Sequence, residues 1–440
     1  MLTRRFRRSS QRRLLRLALY VVLALLLLDT LTILKHYRQF STSLLSHTYS
    51  DVSTLPSPAR DQKIFINAQF WTNAYVIATR WGQALQDLIK TLGPDNVFVS
   101  IYESGSLDNT KEILAYLDWQ LSGMNVSRTI LLDPESHADI INAGPYDQDG
   151  RPRQGWVLPP TGSSGKEARR IPYLAKTRNL SLQPLIDEKK KGRTYDKILF
   201  LNDVVFKPQD VVSLLATNGG SYSVACAFDY HYPARLATYY DTFALRDTNG
   251  DGSLAVQFPY FRAEDSRQAI LRGDSARVSS CWNGMALMDA APFYDSVDDN
   301  GKTVEGLRFR GISDSLASKH LEGSECCLVH SDLATMGAAE QGIYINPAVR
   351  VGYTEAAYNL THFGPEQTFI SPTQYVLAEW LNRLDRLRTP SAEKQLRKVH
   401  KKVEKWKKDS STSLEKREES GEMCLIDEMH LLIWNGWKHA

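Results

Sequence analysis

Between Lys63 and Leu132 three apolar runs, "KIFINAQF", "VFVSIYESGS" and "SRTILL", alternate with two amphipathic stretches. Ile77, Trp81, Leu85, Leu88 and Leu92 recur at helical spacing in the first stretch, and Ile113, Leu114, Leu117 and Leu121 in the second. The runs are short and nearly continuous, as strands buried on both faces of a parallel sheet must be. Parallel neighbours need crossover helices, so this order admits few topologies, and it predicts the opening of a Rossmann-like sheet. Ser106 is expected to cap the second helix, with Asp108 in its first turn. Further on, "KILFLNDVVF" (197–206) reads as a central strand and "SYSVACAFDY" (221–230) as another. The short, glycine-punctuated segments that follow, up to about residue 371, predict a mixed second half to the sheet.

The two ends of the chain are different in kind. The first sixteen residues hold seven arginines and no acid, and Leu17 to Leu28 is wholly apolar or aromatic. A basic flank ahead of such a run places the N-terminus in the cytosol. Read through Asp29, residues 17–34 are long enough for a short membrane span, and no small-residue cleavage site follows. The expected organisation is a cytosolic basic tail (1–16), an uncleaved signal anchor (17–34), a polar stem without a core of its own (35–60), one α/β domain (61–371) and a C-terminal extension (372–440). Of that extension, 379–420 is dominated by charge, which predicts a solvated helix or disorder, and 423–440 is apolar enough to dock back on the domain.

Without its seven N-terminal arginines the chain's net charge falls from +3 to −4, so no global basic field invites nucleic acid. Five cysteines, in a lumenal chain, predict one or two disulfides and at least one free thiol. No C-x-x-C pair exists, which argues against zinc. Sequons stand at Asn125, Asn179 and Asn359.

Candidate chemistry gathers where strands end. Glu103, Asp203 and Asp229 each close an apolar run, and a carboxylate removed from water costs several kcal/mol unless something pairs with it. Open α/β sheets bind ligands at this edge, so three such acids in successive strands point to a shared site. One of them alone would read as a satisfied core carboxylate. In "YESGSLDNT" the acid precedes a glycine and a helix start, a place suited to a ribose hydroxyl or a phosphate. "AKTRNLSLQPL" offers Lys176, Arg178 and Asn179, with phosphate binding and a surface ion pair equally open for Arg178. "YYDTFALRD" adds Asp241, Arg246 and Asp247. "VSSCWNGMALM" sets Trp282, Asn283 and Gly284 in a tight turn, where Trp282 could face a sugar or lie in the core. Glu325, Asp332 and His362 complete the set. No G-x-S-x-G, H-E-x-x-H or Walker loop occurs, which removes the usual support for hydrolase, zincin and P-loop chemistry.

Nine segments in register, "VSIYESGSLDNT", "RN" before "L-x-P-L", "ILFLNDVVF", "CAFDY", "YDTFALRD", "SCWNGM", "LRFRG", "SECCLVHSDL" and "INPAVRVGY", resemble the fungal cryptococcal-type α-1,3-mannosyltransferases, the capsule-associated family. The resemblance covers about residues 62–353. It implies a GT-A glycosyltransferase fold over 61–371, GDP-mannose as donor, a glycan or glycoprotein acceptor, retention of the α configuration, a divalent metal (usually Mn2+) and a single-pass type II Golgi membrane protein. Carried over by residue, it puts Asp203 on the metal and in catalysis, with Asp247 and Glu325 as further catalytic candidates. It puts Glu103, Arg178 and Asn202 on the nucleotide, Trp282 and Asn283 on the acceptor, and His362 on the metal as a late ligand. The motif here is Asn202-Asp203-Val204 rather than Asp-x-Asp, so the rest of a metal shell must come from elsewhere. Another nucleotide sugar as donor, or a catalytically inactive glycan-binding protein, are the alternatives.

Overall fold

Eight strands form one sheet: β1 (Ile64–Phe70), β2 (Val97–Ser104), β3 (Ser127–Asp133), β4 (Lys197–Leu201), β5 (Val224–Tyr230), β6 (Ala276–Val278), β7 (Met285–Asp289) and β8 (Ile343–Gly352). Their spatial order is β3-β2-β1-β4-β7-β5-β8-β6. The first four strands run parallel, β7 lies antiparallel between β4 and β5, β8 is again parallel to β5, and β6 is antiparallel at the edge. This is the expected mixed α/β sheet flanked by helices. The computed structural model describes the whole chain except residues 1, 50, 56–58, 160–164, 232–237, 298–299, 363–368, 388–389 and 410–416.

The continuous apolar runs are explained by packing on both faces. On β4, Ile198 and Phe200 join the core on one side while Leu199 and Leu201 join the core on the other. The principal helices are α1 (Leu2–Ser46), α2 (Gly82–Leu92), α3 (Thr110–Ser122), α4 (Arg170–Lys190), α5 (Pro208–Leu215), α6 (Glu264–Arg272), α7 (Glu325–Thr335), α8 (Pro372–Leu387) and α9 (Pro390–Lys408). The cap of helix α3 is Asn109, three residues later than the expected Ser106. Asp108 accepts from the Thr110 N–H at 3.1 Å, and Ser106 instead receives the Thr72 N–H at 2.7 Å.

The stem expected over 35–60 is not without a core. Helix α1 continues through Ser46 and buries Ile33, Phe40 and Leu44, and Leu55 and Ala59 are buried as well. Phe40 meets Phe258, Phe369 and Tyr375 at ring-centre distances of 5.3 to 5.7 Å. N-terminal to that contact, the apolar stretch from Leu14 to Leu28 stands away from the domain with its large side chains exposed.

The charged extension is helical over 379–387 and 390–408, and the C-terminus docks. After α9 the chain forms a hairpin of β9 (His430–Ile433) and β10 (Gly436–His439). Two features hold this segment down. The buried Arg246 guanidinium donates to the carbonyls of Met423 (2.6 Å) and Cys424 (3.1 Å). Cys424 is bonded to Cys327 on α7, across 97 residues of sequence. The second disulfide joins Cys226 and Cys281, and Cys326 is the free, buried thiol. Closing a loop of that length restricts the unfolded chain strongly, so the pair Cys327→Ser/Cys424→Ser should lose about 2–5 kcal/mol of stability. Denaturant unfolding of the two proteins in the same detergent checks this, and coincident curves would show that the bridge adds nothing.

Asn179 donates to the Phe309 carbonyl (2.8 Å) and accepts its N–H (2.9 Å), so that sequon amide is occupied within the fold. Asn125 and Asn359 are exposed.

Candidate active site

Because β1, β2, β4, β5 and β8 share one direction, their carboxyl ends meet along one edge of the sheet. There the chain presents Trp71 and Asn73, then Glu103, Asn202 and Asp203, Asp229 and Tyr353. Two adjoining cavities open along this edge, of about 290 and 550 Å3, and Arg170, Leu174, Arg178, Asn202 and Trp437 line both. Each is on the scale of a small-ligand site. A larger depression, about 740 Å3, lies along the outer side of α4 and includes none of these strand-end acids.

The smaller compartment holds Asp203. Its Oδ2 accepts from Asn73 Nδ2 at 2.7 Å, and burial pushes its pKa above the usual carboxylate range. No cation pairs with it among the described residues. Trp71 and His137 stack on the wall at 4.6 Å. Glu103, at the adjacent strand end, is fully buried. One of its oxygens takes the Ser106 N–H, and the other has no hydrogen-bond partner among the described residues, with Lys111 Nζ at 3.6 Å. Gly105 beside it must be glycine: its φ is +71°, and a Cβ would sit 2.2 Å from the Glu135 carbonyl oxygen.

Asn202 is fixed between the compartments. Its N–H donates to the Gly284 carbonyl (3.0 Å), its carbonyl accepts from Trp81 Nε1 (3.1 Å) and its Oδ1 from Trp282 Nε1 (3.2 Å). The chain can come this close because Gly284 has φ +77° and no side chain to strike Val204 and Val351, each 3.0 Å from where a Cβ would be.

The larger compartment collects acids and guanidinium groups. Arg178, inside α4, donates from Nε to Glu325 at 3.0 Å and lies 4.4 Å from the centre of the Trp282 ring. Arg170, two turns earlier on α4, lies 4.4 Å from the Trp437 ring of the C-terminal hairpin. Asp241 accepts the N–H groups of Phe243 (3.0 Å) and Ala244 (3.1 Å). Its own N–H goes to Asp229 at 3.1 Å. Burial and the neighbouring Asp241 push Asp229 up to about 7.

A carboxyl whose folded-state pKa lies above its unfolded value keeps its proton in the folded chain while the unfolded chain has released it. The folded state is therefore penalised progressively as pH rises from about 4 towards 7. Asp229→Asn should flatten stability against pH across that window and raise stability at pH 8. Melting temperatures between pH 5 and 8 check the sign, and an unchanged slope would mean that Asp229 is ionised throughout.

Of the expected site residues, Asp203, Asn202, Arg178, Trp282 and Glu325 line the cleft, and Glu103 is buried at the neighbouring strand end without lining either compartment. Three lie elsewhere or are otherwise engaged. Asp247 accepts the N–H groups of Ala263 (2.7 Å), Asn249 (3.0 Å) and Asp251 (3.1 Å), so it organises a turn, and Asp241 takes the place in the cleft. Asn283 is wholly buried with φ +53°, and its amide donates to Asp229 and to the Asp241 carbonyl, both at 3.3 Å. His362 stacks on Tyr358 at 4.0 Å and donates from Nδ1 to the Tyr358 carbonyl at 2.8 Å. Its Nε2 faces Asp210 at 3.8 Å, and burial pulls its pKa down to about 3. In the larger compartment the imidazoles that line the cleft are those of His430 and His439 on the hairpin. With Glu428 they place ligand atoms within 4.8 Å of one another.

The sequence from 63 to 332 matches the family described as cryptococcal mannosyltransferase 1, and the chain belongs to that family. It is similar to an alpha-1,3-mannosyltransferase of Cryptococcus neoformans, with 25% identity over 281 residues. That alignment covers 60% of this chain and 52% of the relative, so the likeness spans about half of the relative's length. Among solved structures, the mannosyltransferase PcManGT of Pyrobaculum calidifontis, determined with GDP-Man and Mn2+, is 11% identical with a TM-score of 0.32, covering 74% of this chain and 66% of that one. The S. aureus protein TarS, determined with UDP, is 14% identical with a TM-score of 0.32, covering 73% and 71%. Overlays this loose carry no functional argument.

Proposed function

We propose that the chain transfers mannose from GDP-mannose to a hydroxyl of a glycan or glycoprotein acceptor, forming an α-1,3 bond with retention, as a GT-A enzyme. The observation that carries this reading is the pairing of an uncompensated Asp203 with two arginines along one strand-end cleft, in a chain of this family. A diphosphate needs both elements: guanidinium groups for its oxygens and a carboxylate to share a cation with it. Arg170 and Arg178 supply the first. Glu103, whose second buried oxygen has no hydrogen bond and only Lys111 at 3.6 Å, is the acceptor for the nucleoside. Glu325 and Asp241 face the larger compartment, where the sugar and the acceptor hydroxyl meet, and their charge would stabilise a cationic sugar centre.

The donor set suits a divalent metal. Asp203 offers an oxygen in the smaller compartment, and Glu428, His430 and His439, whose ligand atoms cluster in the larger one, offer a carboxylate and imidazole nitrogens, donor types that fit Mn2+. When bound, such an ion neutralises charge that develops on the departing diphosphate. Asn73 keeps Asp203 oriented for that role, and Trp437 limits water access from the hairpin side. The apolar helix at 17–28 anchors the chain as a single-pass type II protein of the Golgi membrane, with the domain on the lumenal side.

Thermal stabilisation of the purified chain by a panel of nucleotide sugars with Mn2+ tests the donor. GDP-mannose and GDP should raise the melting temperature and UDP-sugars should not. A larger shift with a UDP-sugar would reassign the donor, and a shift with glycan alone would favour a lectin-like protein.

A further inference from the structure

Helix α8 is amphipathic in the wrong sense for a helix in water. It turns Tyr375, Ala378, Glu379 and Asn382 inward, each at most 4% exposed, and turns four leucines outward. Leu377, Leu381, Leu384 and Leu387 are 47%, 37%, 49% and 81% exposed and recur at three- and four-residue spacing on one face. Two of the buried polar groups hold cations: Glu379 pairs with Arg267 at 3.3 Å and with Arg383 at 3.5 Å, and Asn382 Oδ1 accepts from Arg386 at 3.2 Å. A helix ordinarily reverses this arrangement, and a leucine face left outside marks a surface meant for an apolar neighbour.

Helix α1 identifies that neighbour. Tyr37 meets Tyr375 at 5.4 Å, and Asp29 meets Arg383 at 2.8 Å. Eight residues separate the two contacts on each helix, so the helices run antiparallel and in step. The Asp29–Arg383 pair is the contact nearest the apolar stretch of α1, and it provides a cation for the one acid in that stretch. One further turn of α8, about 6 Å, brings Leu384 and Leu387 level with Leu25 to Leu28 of α1, which are themselves exposed. The exposed leucines of α8 thus continue the apolar surface of the membrane anchor.

We propose that the C-terminal end of α8 enters the domain-side leaflet beside α1, where its outward leucines extend the apolar surface of the anchor and hold the cleft at a fixed orientation to the bilayer. This inference rests on the reading of α1 as a membrane anchor. Because α8 runs antiparallel to α1, it descends along the anchor, and the rise of about 9 Å from Leu381 to Leu387 carries its end below the Asp29–Arg383 pair. The bond between Asp29 and Arg383 sits at the headgroup level, where an ion pair is tolerated.

The test uses the full chain in phosphatidylcholine nanodiscs, with a photo-crosslinking benzoylphenylalanine placed singly at 22 on α1, at 384 on α8, or at 116 on the exposed face of α3. All three native side chains are exposed, so the insertions leave the core untouched. The expected result is lipid adduct at both 22 and 384, with the yield at 384 at least about tenfold above that at 116. Lipid adduct at 22 without adduct at 384 would overturn the proposal while leaving the anchor in place. A chain-to-chain adduct at 384 would overturn it in favour of a second copy seated on the leucines. No lipid adduct at either 22 or 384 would remove the anchor reading itself, and this inference with it.

Discussion

Asp203→Ala should reduce turnover of the mannose donor by about 10²–10³-fold or more, the usual cost of removing a charge aimed at a developing one. The same substitution should leave the melting temperature of the free protein unchanged or higher. Asp203 is a buried carboxylate whose pKa is raised by its surroundings, with Asn73 as its side-chain partner at 2.7 Å and no cation beside it among the described residues. Its ionised form is therefore a burden on the folded chain. A structural acid would behave in the opposite way, losing stability first and activity only as a consequence. Kinetics and thermal unfolding on one preparation separate the two, and full activity in Asp203→Ala would remove Asp203 from the chemistry.

Arg169→Met should produce the largest loss of stability among single substitutions away from the cleft, about 3–5 kcal/mol, because it strands a buried carboxylate. Arg169 and Glu322 are both completely buried, and the guanidinium holds Glu322 by two bonds at 2.5 and 3.2 Å. It also reaches Asp314 and the Ile312 carbonyl, each at 2.9 Å. Glu322 lies in the short strand that pairs with Leu425–Ile426, so the pair fastens the start of the C-terminal segment to the base of α4. Adding Glu322→Leu to Arg169→Met should recover most of the loss, since an apolar pair of similar size is often as stable as a buried ion pair. Urea unfolding of wild type, both single variants and the double variant checks this. Additive losses would show that the two residues do not act as a pair.

The parts of this molecule that local chemistry determines could be read from its sequence. Buried strands announce themselves because both faces must be apolar, and carboxylates that interrupt such runs, Glu103 and Asp203, stand at the ligand edge because nothing else tolerates them there. Asp241 and Asp247 were not separable in the same way. They lie six residues apart in an irregular segment, and only the course of the backbone turns one into the cleft and the other onto three N–H groups of its own turn. Trp437, His430 and His439 were invisible for another reason. Their place in the cleft depends on Arg246 and the Cys327–Cys424 bridge, contacts that span more than 90 residues of sequence. The expectation of a stem without a core failed because the polar composition of 35–60 hides four apolar positions, Phe40, Leu44, Leu55 and Ala59, all of them buried.

The central claim is that this cleft moves mannose from a guanosine diphosphate carrier with the help of a metal held at Asp203. It is tested most directly by measuring GDP release from GDP-mannose by the purified full chain in detergent, with Mn2+ and then with a chelator, beside Asp203→Ala. The account predicts release that requires Mn2+, stops with the chelator and is lost in the variant. Release that persists in the chelator and in Asp203→Ala, or turnover of a UDP-sugar in place of GDP-mannose, would contradict it.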